Sequence, residues 1–210
     1  MTTLLVIAKE PVPGRVKTRL TPPYSPREAA ALAEAALADT LAAVLAAPAD
    51  RRVLVLDGVP GPWLPPGIDV VPQAEGGLDD RLAAAFGRCD GPALLIGMDT
   101  PQVTPALLRP ALEPAAWEGC SAWFGPAADG GFWALGLADP DPALVKGVPM
   151  STCETGRLQH ERLTAAGLAV GELPLLRDVD TALDAELVAA QAPHTRFAAA
   201  MARLAPAEAR

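Results

Sequence analysis

Four cations crowd one short stretch of this chain: Lys9, Arg15, Lys17 and Arg19, within Lys9-Glu10-Pro11-Val12-Pro13-Gly14-Arg15-Val16-Lys17-Thr18-Arg19-Leu20. Arg19 offers a planar fork suited to bidentate phosphate contacts, while Lys9 and Lys17 act as point charges. Pro11 and Pro13 fix φ and restrict the residues before them, so the stretch is stiff. Gly14 allows backbone angles closed to other residues and lets the main chain approach a ligand. The spacing is neither the Gly-x4-Gly-Lys-Ser/Thr of a P-loop nor the Gly-x-Gly-x-x-Gly of a dinucleotide fold. A stiff loop with converging cations on an otherwise acidic chain points to a small anion, most simply the phosphates of a nucleotide. Lys9, Gly14, Arg15, Lys17, Thr18 and Arg19 are the expected phosphate-binding positions.

Carboxylates supply the second set of chemical groups. Asp99, in Gly97-Met98-Asp99-Thr100-Pro101, follows the most hydrophobic strand-like run, 93–98. A buried strand that delivers a charge to its end is building a site, because an unpaired buried charge is expensive. Asp129 sits in Asp129-Gly130-Gly131, and Asp178 and Asp180 sit in Arg177-Asp178-Val179-Asp180-Thr181. Two or three carboxylates near phosphates are what Mg²⁺ (or Mn²⁺) requires: a few protein oxygens, with water and phosphate completing the shell. Plainer readings stand beside these. Asp180 could cap the helix that begins near residue 181, and Asp129 could simply form a turn.

The elements that must position these groups alternate. The apolar run 4–8 reads as a buried strand ending at the cationic loop. Ser25 is placed to cap a helix with Pro26 at its first position. That helix runs to about residue 45, with Leu32, Leu37, Leu41 and Val44 on one buried face. Strands are expected over 52–57, 68–72, 93–98, 121–124, 132–137 and 169–173. Further helices are expected over 78–88, 105–112, 155–167, 181–190 and 195–204. Such alternation predicts an α/β fold, a largely parallel sheet covered on both faces. In open sheets of this kind, ligands bind at the carboxyl ends of the strands, where the cationic loop and the acids fall. With no repeat and no low-complexity linker, a single domain over 1–210 is expected.

Composition narrows the function. The net charge of −8 argues against a nucleic-acid partner, which needs a basic face. Half the residues are hydrophobic, yet no uninterrupted apolar run reaches the ~18 residues of a membrane span. The first strand begins almost at the amino terminus, so the expectation is a cytoplasmic protein without a signal peptide. Cys89, Cys120 and Cys153 are widely spaced and form no Cys-x-x-Cys pair, and only His160 and His194 are present. A zinc site, a disulfide framework and a histidine triad are all disfavoured.

At these residues the chain resembles the radical-SAM/selenodomain-associated transferase 1 family, which belongs with the GT-A-fold nucleotide-diphosphosugar transferases. The matching segments are Ala8-Lys9-x-Pro11-x-Pro13-Gly14-Arg15-Val16-Lys17-Thr18-Arg19-Leu20, Gln73 with Gly77-Leu78-x-x-Arg81-Leu82, and Gly97-x-Asp99-x-Pro101. Gly125-Pro126-x-x-Asp129-Gly130-Gly131-Phe132-Trp133 and Asp178-Val179-Asp180-Thr181 complete the series. More distantly, the chain is similar to the phospholactate guanylyltransferases. The resemblance implies a three-layer GT-A sandwich, a nucleotide donor and a divalent metal. It implies that Lys17 and Arg19 hold donor phosphates and that Asp99 and Asp180 bind the metal. Gln73, Gly77 and Leu78 would line the base or ribose pocket. Asp129, Gly130, Gly131 and Trp133 would form the acceptor side. Asp79 departs from the family pattern, which has glycine there.

The expected activity is nucleotidyl transfer from a nucleoside triphosphate to a small phosphorylated or hydroxyl acceptor, with Lys17, Arg19 and Asp129 as its catalytic groups. Such chemistry is mostly positioning and electrostatic stabilisation and needs no histidine. Glycosyl transfer from a nucleotide-sugar is the alternative, and a non-catalytic nucleotide binder the third reading. The partners are then a nucleotide or nucleotide-sugar and a small acceptor, with a homodimer left open.

Overall fold

The computed structural model describes residues 1–204; the end of the expected domain, 205–210, lies outside the described residues. The strands are β1 (Thr3–Lys9), β2 (Arg51–Asp57), β3 (Asp69–Pro72), β4 (Ala93–Gly97), β5 (Ala122–Pro126), β6 (Phe132–Leu137) and β7 (Val170–Glu172). The helices are α1 (Pro26–Ala46), α2 (Leu78–Phe86), α3 (Pro105–Leu108), α4 (Thr155–Ala165), α5 (Ala182–Gln191) and α6 (Arg196–Leu204). All seven strands join one sheet in the order β3-β2-β1-β4-β6-β5-β7. Pairing is parallel except along β6, which runs antiparallel to both β4 and β5. The fold is therefore α/β with a mostly parallel sheet, as expected. The antiparallel strand follows from the short turn between β5 and β6, since a parallel return needs a crossover of a dozen or more residues.

β1 shows how the sequence builds two covered faces. Leu4, Val6 and Ala8 point to one core with α1 and α3, while Leu5 and Ile7 point to the other with α2 and α4. A strand buried on both sides reads as a continuous apolar run because successive side chains alternate across the sheet.

α1 begins as expected. Ser25 Oγ accepts from the Glu28 N–H and Glu28 Oε2 accepts from the Ser25 N–H, a reciprocal capping box. Its buried positions divide into two stripes rather than one. Leu37, Leu41 and Val44 meet the sheet, whereas Ala29, Leu32 and Ala36 meet α5 and α6 through Ala185, Val188, Phe197 and Ala200. The expectation that Leu32 shares the face of Leu37 is thus corrected: α5 and α6 pack against the second stripe of α1. Double burial also explains the apolarity of α1. It is the one described helix long and apolar enough to cross a membrane by length and composition, and 56% of that stretch is buried within the protein.

β1 and β4 pair in parallel at the centre, and the chain leaves them in opposite directions across the sheet. Their carboxyl ends define a crevice at the switch point of the topology.

Candidate active site

The cationic loop leaves β1 at this crevice. Val16 and Leu20 are its anchors, buried in separate cores, each contributing about 1.5 to 3 kcal/mol. Between them Lys17 adopts a left-handed backbone, φ 49° and ψ 40°, and opens a single 3₁₀ turn over Thr18–Leu20. Lys9, Arg15, Thr18 and Arg19 are exposed. Lys17 is not: its side chain is 7% exposed, with Nζ 2.8 Å from Asp99 Oδ1 and 3.0 Å from Asp180 Oδ1. Burial by itself would lower the Lys17 pKa, but the charges and hydrogen bonds of Asp99 and Asp180 outweigh it and hold the ammonium above its ordinary value. Arg19 Nη1 lies 3.4 Å from Asp180 Oδ2 at the rim. Lys17, read from sequence as a point charge for phosphate, is held in place by two carboxylates.

Backbone ties bring the acids together from three segments. The Asp129 turn is joined to the segment before Asp178 by a bridge between Ala127 and Leu176, with the Ala128 N–H donating to Leu176 O at 2.8 Å and the Leu176 N–H to Pro126 O at 3.1 Å. The Asp178–Asp180 segment is pinned to β4's exit by the Val179 N–H donating to Asp99 O at 2.9 Å and by Gln102 Nε2 donating to Arg177 O. One carboxylate oxygen from each of Asp129, Asp178 and Asp180 then falls within 4.8 Å of the others. Burial, followed by the nearby charges of Asp129 and Asp180, raises the Asp178 carboxyl from 3.8 to about 6, although Lys17 partly opposes this.

This cluster fits a hard divalent cation: its donors are all carboxylate oxygens, and their mutual repulsion is what a cation would relieve. Its membership differs from the expected pair. Of that pair Asp180 is in it and Asp99 is held against Lys17, while Asp129 and Asp178, both among the candidate carboxylates of the sequence, complete it. Nor does Asp180 cap α5: Thr181 does, with Asp184 completing the capping box.

The Gly-rich turn has a packing role. Gly130 has φ +90°, and a Cβ there would run into the Cys153 carbonyl; a Cβ on Gly156 would run into Gly131 O. The Gly156 N–H donates to Gly130 O at 2.8 Å. The two glycines thus let the 150–155 loop seat against the Asp129 turn. Asp129 itself accepts from the Gly131 N–H at 2.7 Å while staying exposed, so it both forms the turn and faces solvent. Trp133 is buried, and its indole N–H donates to Pro174 O at 2.9 Å. It forms part of the cleft wall with its indole N–H already engaged.

On the other side Gln73 is fully engaged. Its Nε2 donates to Ala8 O and Val55 O, and its Oε1 accepts from Arg81, which also pairs with Asp57 at 3.1 Å. Gln73 braces the ends of β1 and β2 and has little left with which to read a base. Arg81, which shares the Gly77-Leu78-x-x-Arg81-Leu82 segment, lines the cleft beside the exposed Leu78. Gly77 serves as the N-cap of α2. Asp79, where the family pattern has glycine, turns aside and accepts from the Gly147 N–H at 2.9 Å.

These groups line one cleft of about 860 Å³, which takes in Lys9, Arg15, Lys17, Thr18, Arg19, Gln73, Leu78, Asp99, Asp129, Gly131, Trp133, Asp178 and Asp180. Gly14, Gly77 and Gly130 do not line it, but Met150, Ser151, Thr152, Cys153 and Thr155 do. Ser151 has a left-handed φ of 60°. No sequence reading assigned that loop to the site.

A family model described as "Uncharacterized protein conserved in bacteria (DUF2064)" matches residues 31–152, more than half of the chain. The chain belongs to that family. No curated protein matches it. Among solved structures, a proposed nucleotide-diphospho-sugar transferase of Desulfovibrio desulfuricans G20 superposes with a TM-score of 0.85 at 24% identity, covering 96% of this chain and 94% of that one. Rv0371c of Mycobacterium tuberculosis H37Rv, in complex with manganese, gives a TM-score of 0.54 at 22% identity over 89% and 96% of the two chains. A CMP:2-keto-3-deoxy-manno-octonic acid synthetase complexed with CTP gives 0.58 at 12% identity over 92% and 99%. At these identities the likeness is one of fold, and this DUF2064 member has the fold of those proteins.

Proposed function

We propose that this protein is a divalent-metal-dependent transferase that moves the nucleotidyl group of a nucleoside triphosphate onto a small phosphate- or hydroxyl-bearing acceptor. The observation that carries this reading is a single cleft lined both by exposed cations and by a three-carboxylate cluster. Lys9 and Arg15 make no ion pair among the described residues and are exposed at the strand end, so their charge is available to phosphates. Arg19 joins them from the rim. A triphosphate fits that supply of positive charge better than a sugar diphosphate does.

In the reaction an acceptor oxygen bonds to the α-phosphorus, the bond from that phosphorus to the bridging oxygen breaks, and its electron pair leaves on pyrophosphate. Mg²⁺ or Mn²⁺, held by Asp178 and Asp180 of the cluster, would neutralise phosphate charge and orient the group being transferred. The cations of the first loop hold the leaving pyrophosphate as its charge develops. Asp129, the exposed acid, faces the acceptor and takes the proton when the acceptor is a hydroxyl. Gln73, Arg81 and Leu78 form the floor for ribose and base.

The manganese complex of one fold neighbour and the CTP complex of another support this assignment, as does the resemblance to phospholactate guanylyltransferases. The name of the Desulfovibrio protein favours the second reading, glycosyl transfer from a nucleotide-sugar. A thermal-shift screen of nucleoside mono- and triphosphates and nucleotide-sugars, with and without Mn²⁺, separates the two. Ligand at about 100 times its Kd adds about 2.7 kcal/mol of stability. Triphosphates should stabilise well beyond monophosphates, in a metal-dependent way, and pyrophosphate should appear on turnover. Equal binding of mono- and triphosphate, with a sugar diphosphate binding best, would replace nucleotidyl transfer by glycosyl transfer.

A further inference from the structure

The acidic side of the cleft already contains a cation of its own. Lys17 Nζ sits between Asp99 and Asp180, at 2.8 and 3.0 Å, with a side chain only 7% exposed. A lysine waiting for phosphate would be solvated, as Lys9 is. Lys17 is instead held by a left-handed backbone between two buried anchors, Val16 and Leu20. That conformation costs a residue with a side chain on the order of 1 kcal/mol and persists only where its surroundings impose it. Asp180 is the shared member: it pairs with Lys17 and also belongs to the cluster with Asp129 and Asp178.

We propose that Lys17 holds the place of the divalent ion in the nucleotide-free protein, so that ion and triphosphate enter together. This rests on the metal site of the reading above. Without nucleotide, an ion seeking Asp180 meets an ammonium about 3 Å from the same carboxylate and is repelled by it. Arriving phosphates offer Lys17 a competing anion. As Lys17 turns to them, Asp180 is freed for the ion and Asp99 is released to join it. Lys17 thereby couples two binding events, and Asp99 and Asp180 are never left without a counter-charge.

The test is Mn²⁺ binding without nucleotide, read by the electron paramagnetic resonance of free Mn²⁺. Opposite or like charges within 4 to 6 Å shift an ionic equilibrium about 10- to 1,000-fold, so Lys17→Met should bind Mn²⁺ at least about tenfold more tightly than wild type. Asp180→Asn in that background should remove the gain. Equal affinity in wild type and Lys17→Met overturns the place-holder role while leaving the metal site standing. No Mn²⁺ binding by either protein overturns both. Because unpaired acids could unfold the variant, a second measurement uses wild type: reductive methylation of its three lysines, Lys9, Lys17 and Lys146, followed by peptide mass spectrometry. Lys17 should be protected in the metal-free protein and become reactive at saturating Mn²⁺, with Lys9 and Lys146 as internal references. Protection that persists at saturation overturns the proposal.

Discussion

Replacing Asp178 by asparagine should stabilise the protein at neutral pH. Its carboxyl is raised from 3.8 to about 6 by burial and by the charges of Asp129 and Asp180. Between these two values the folded chain binds more protons than the unfolded chain, so stability falls as pH rises. The contribution is fully present below pH 3.8 and lost once pH passes about 6. At roughly 1.4 kcal/mol per pH unit, the full shift corresponds to about 3 kcal/mol. Asp178 is only half-buried, and solvent screening reduces this to about 1.5 kcal/mol. Asparagine keeps the shape and cannot ionise, so it should match wild type near pH 4 and exceed it by about 1.5 kcal/mol at pH 7.5. For a chain of this size that is about 3 to 6 °C in melting temperature. The assay is a pair of thermal melts at each pH, which cancels the other titrating groups. Saturating Mn²⁺ should close the gap at pH 7.5 by stabilising wild type more than the variant. A variant less stable than wild type at pH 7.5, or a gap that ignores pH, would refute the picture of a strained acid cluster.

Arg19→Ala should weaken triphosphate binding by about 1.5 to 3 kcal/mol, the range for charge-assisted hydrogen bonds, with an unchanged ligand-free melt. Unchanged affinity by titration calorimetry would remove Arg19 from the phosphate site. Gly130→Ala should cost about 1 to 3 kcal/mol, since it combines a φ of +90° with a clash against the Cys153 carbonyl. Wild-type stability in chemical denaturation would contradict the docking role of that turn. Ser25→Ala removes one half of the α1 capping box and should cost about 1 kcal/mol, read by the same denaturation series, without altering nucleotide affinity.

The fold was legible to a large extent. The two-sided burial of β1, β2 and β4 makes them continuous apolar runs. Ser25-Pro26 marks the start of α1 by local capping chemistry, and strand–helix alternation implies a parallel sheet. Helix ends were less legible, because they depend on what the last turn packs against: the expected helix over 105–112 is α3 followed by a separate 3₁₀ turn. The two stripes of α1 were hidden because alanine is small enough to suit any face, so its pattern does not say which residues meet the sheet and which meet α5 and α6.

For the site, the amino-acid types and their places at strand ends were written locally: cations after β1, acids after β4, after β5 and before α5. Sequence alone therefore determined that cationic and carboxylate side chains share one end of the sheet. The partners were decided only by tertiary structure. Lys17 and Asp180 are 163 residues apart, and their contact depends on Val179 being tied to Asp99 and Ala127 to Leu176. Those ties set which carboxylates crowd Asp178 and which one Lys17 holds. The physical reason is range: backbone preference and side-chain chemistry act over a few residues, whereas charge pairing and carboxyl pKa depend on distances of 3 to 5 Å that only the packed sheet fixes.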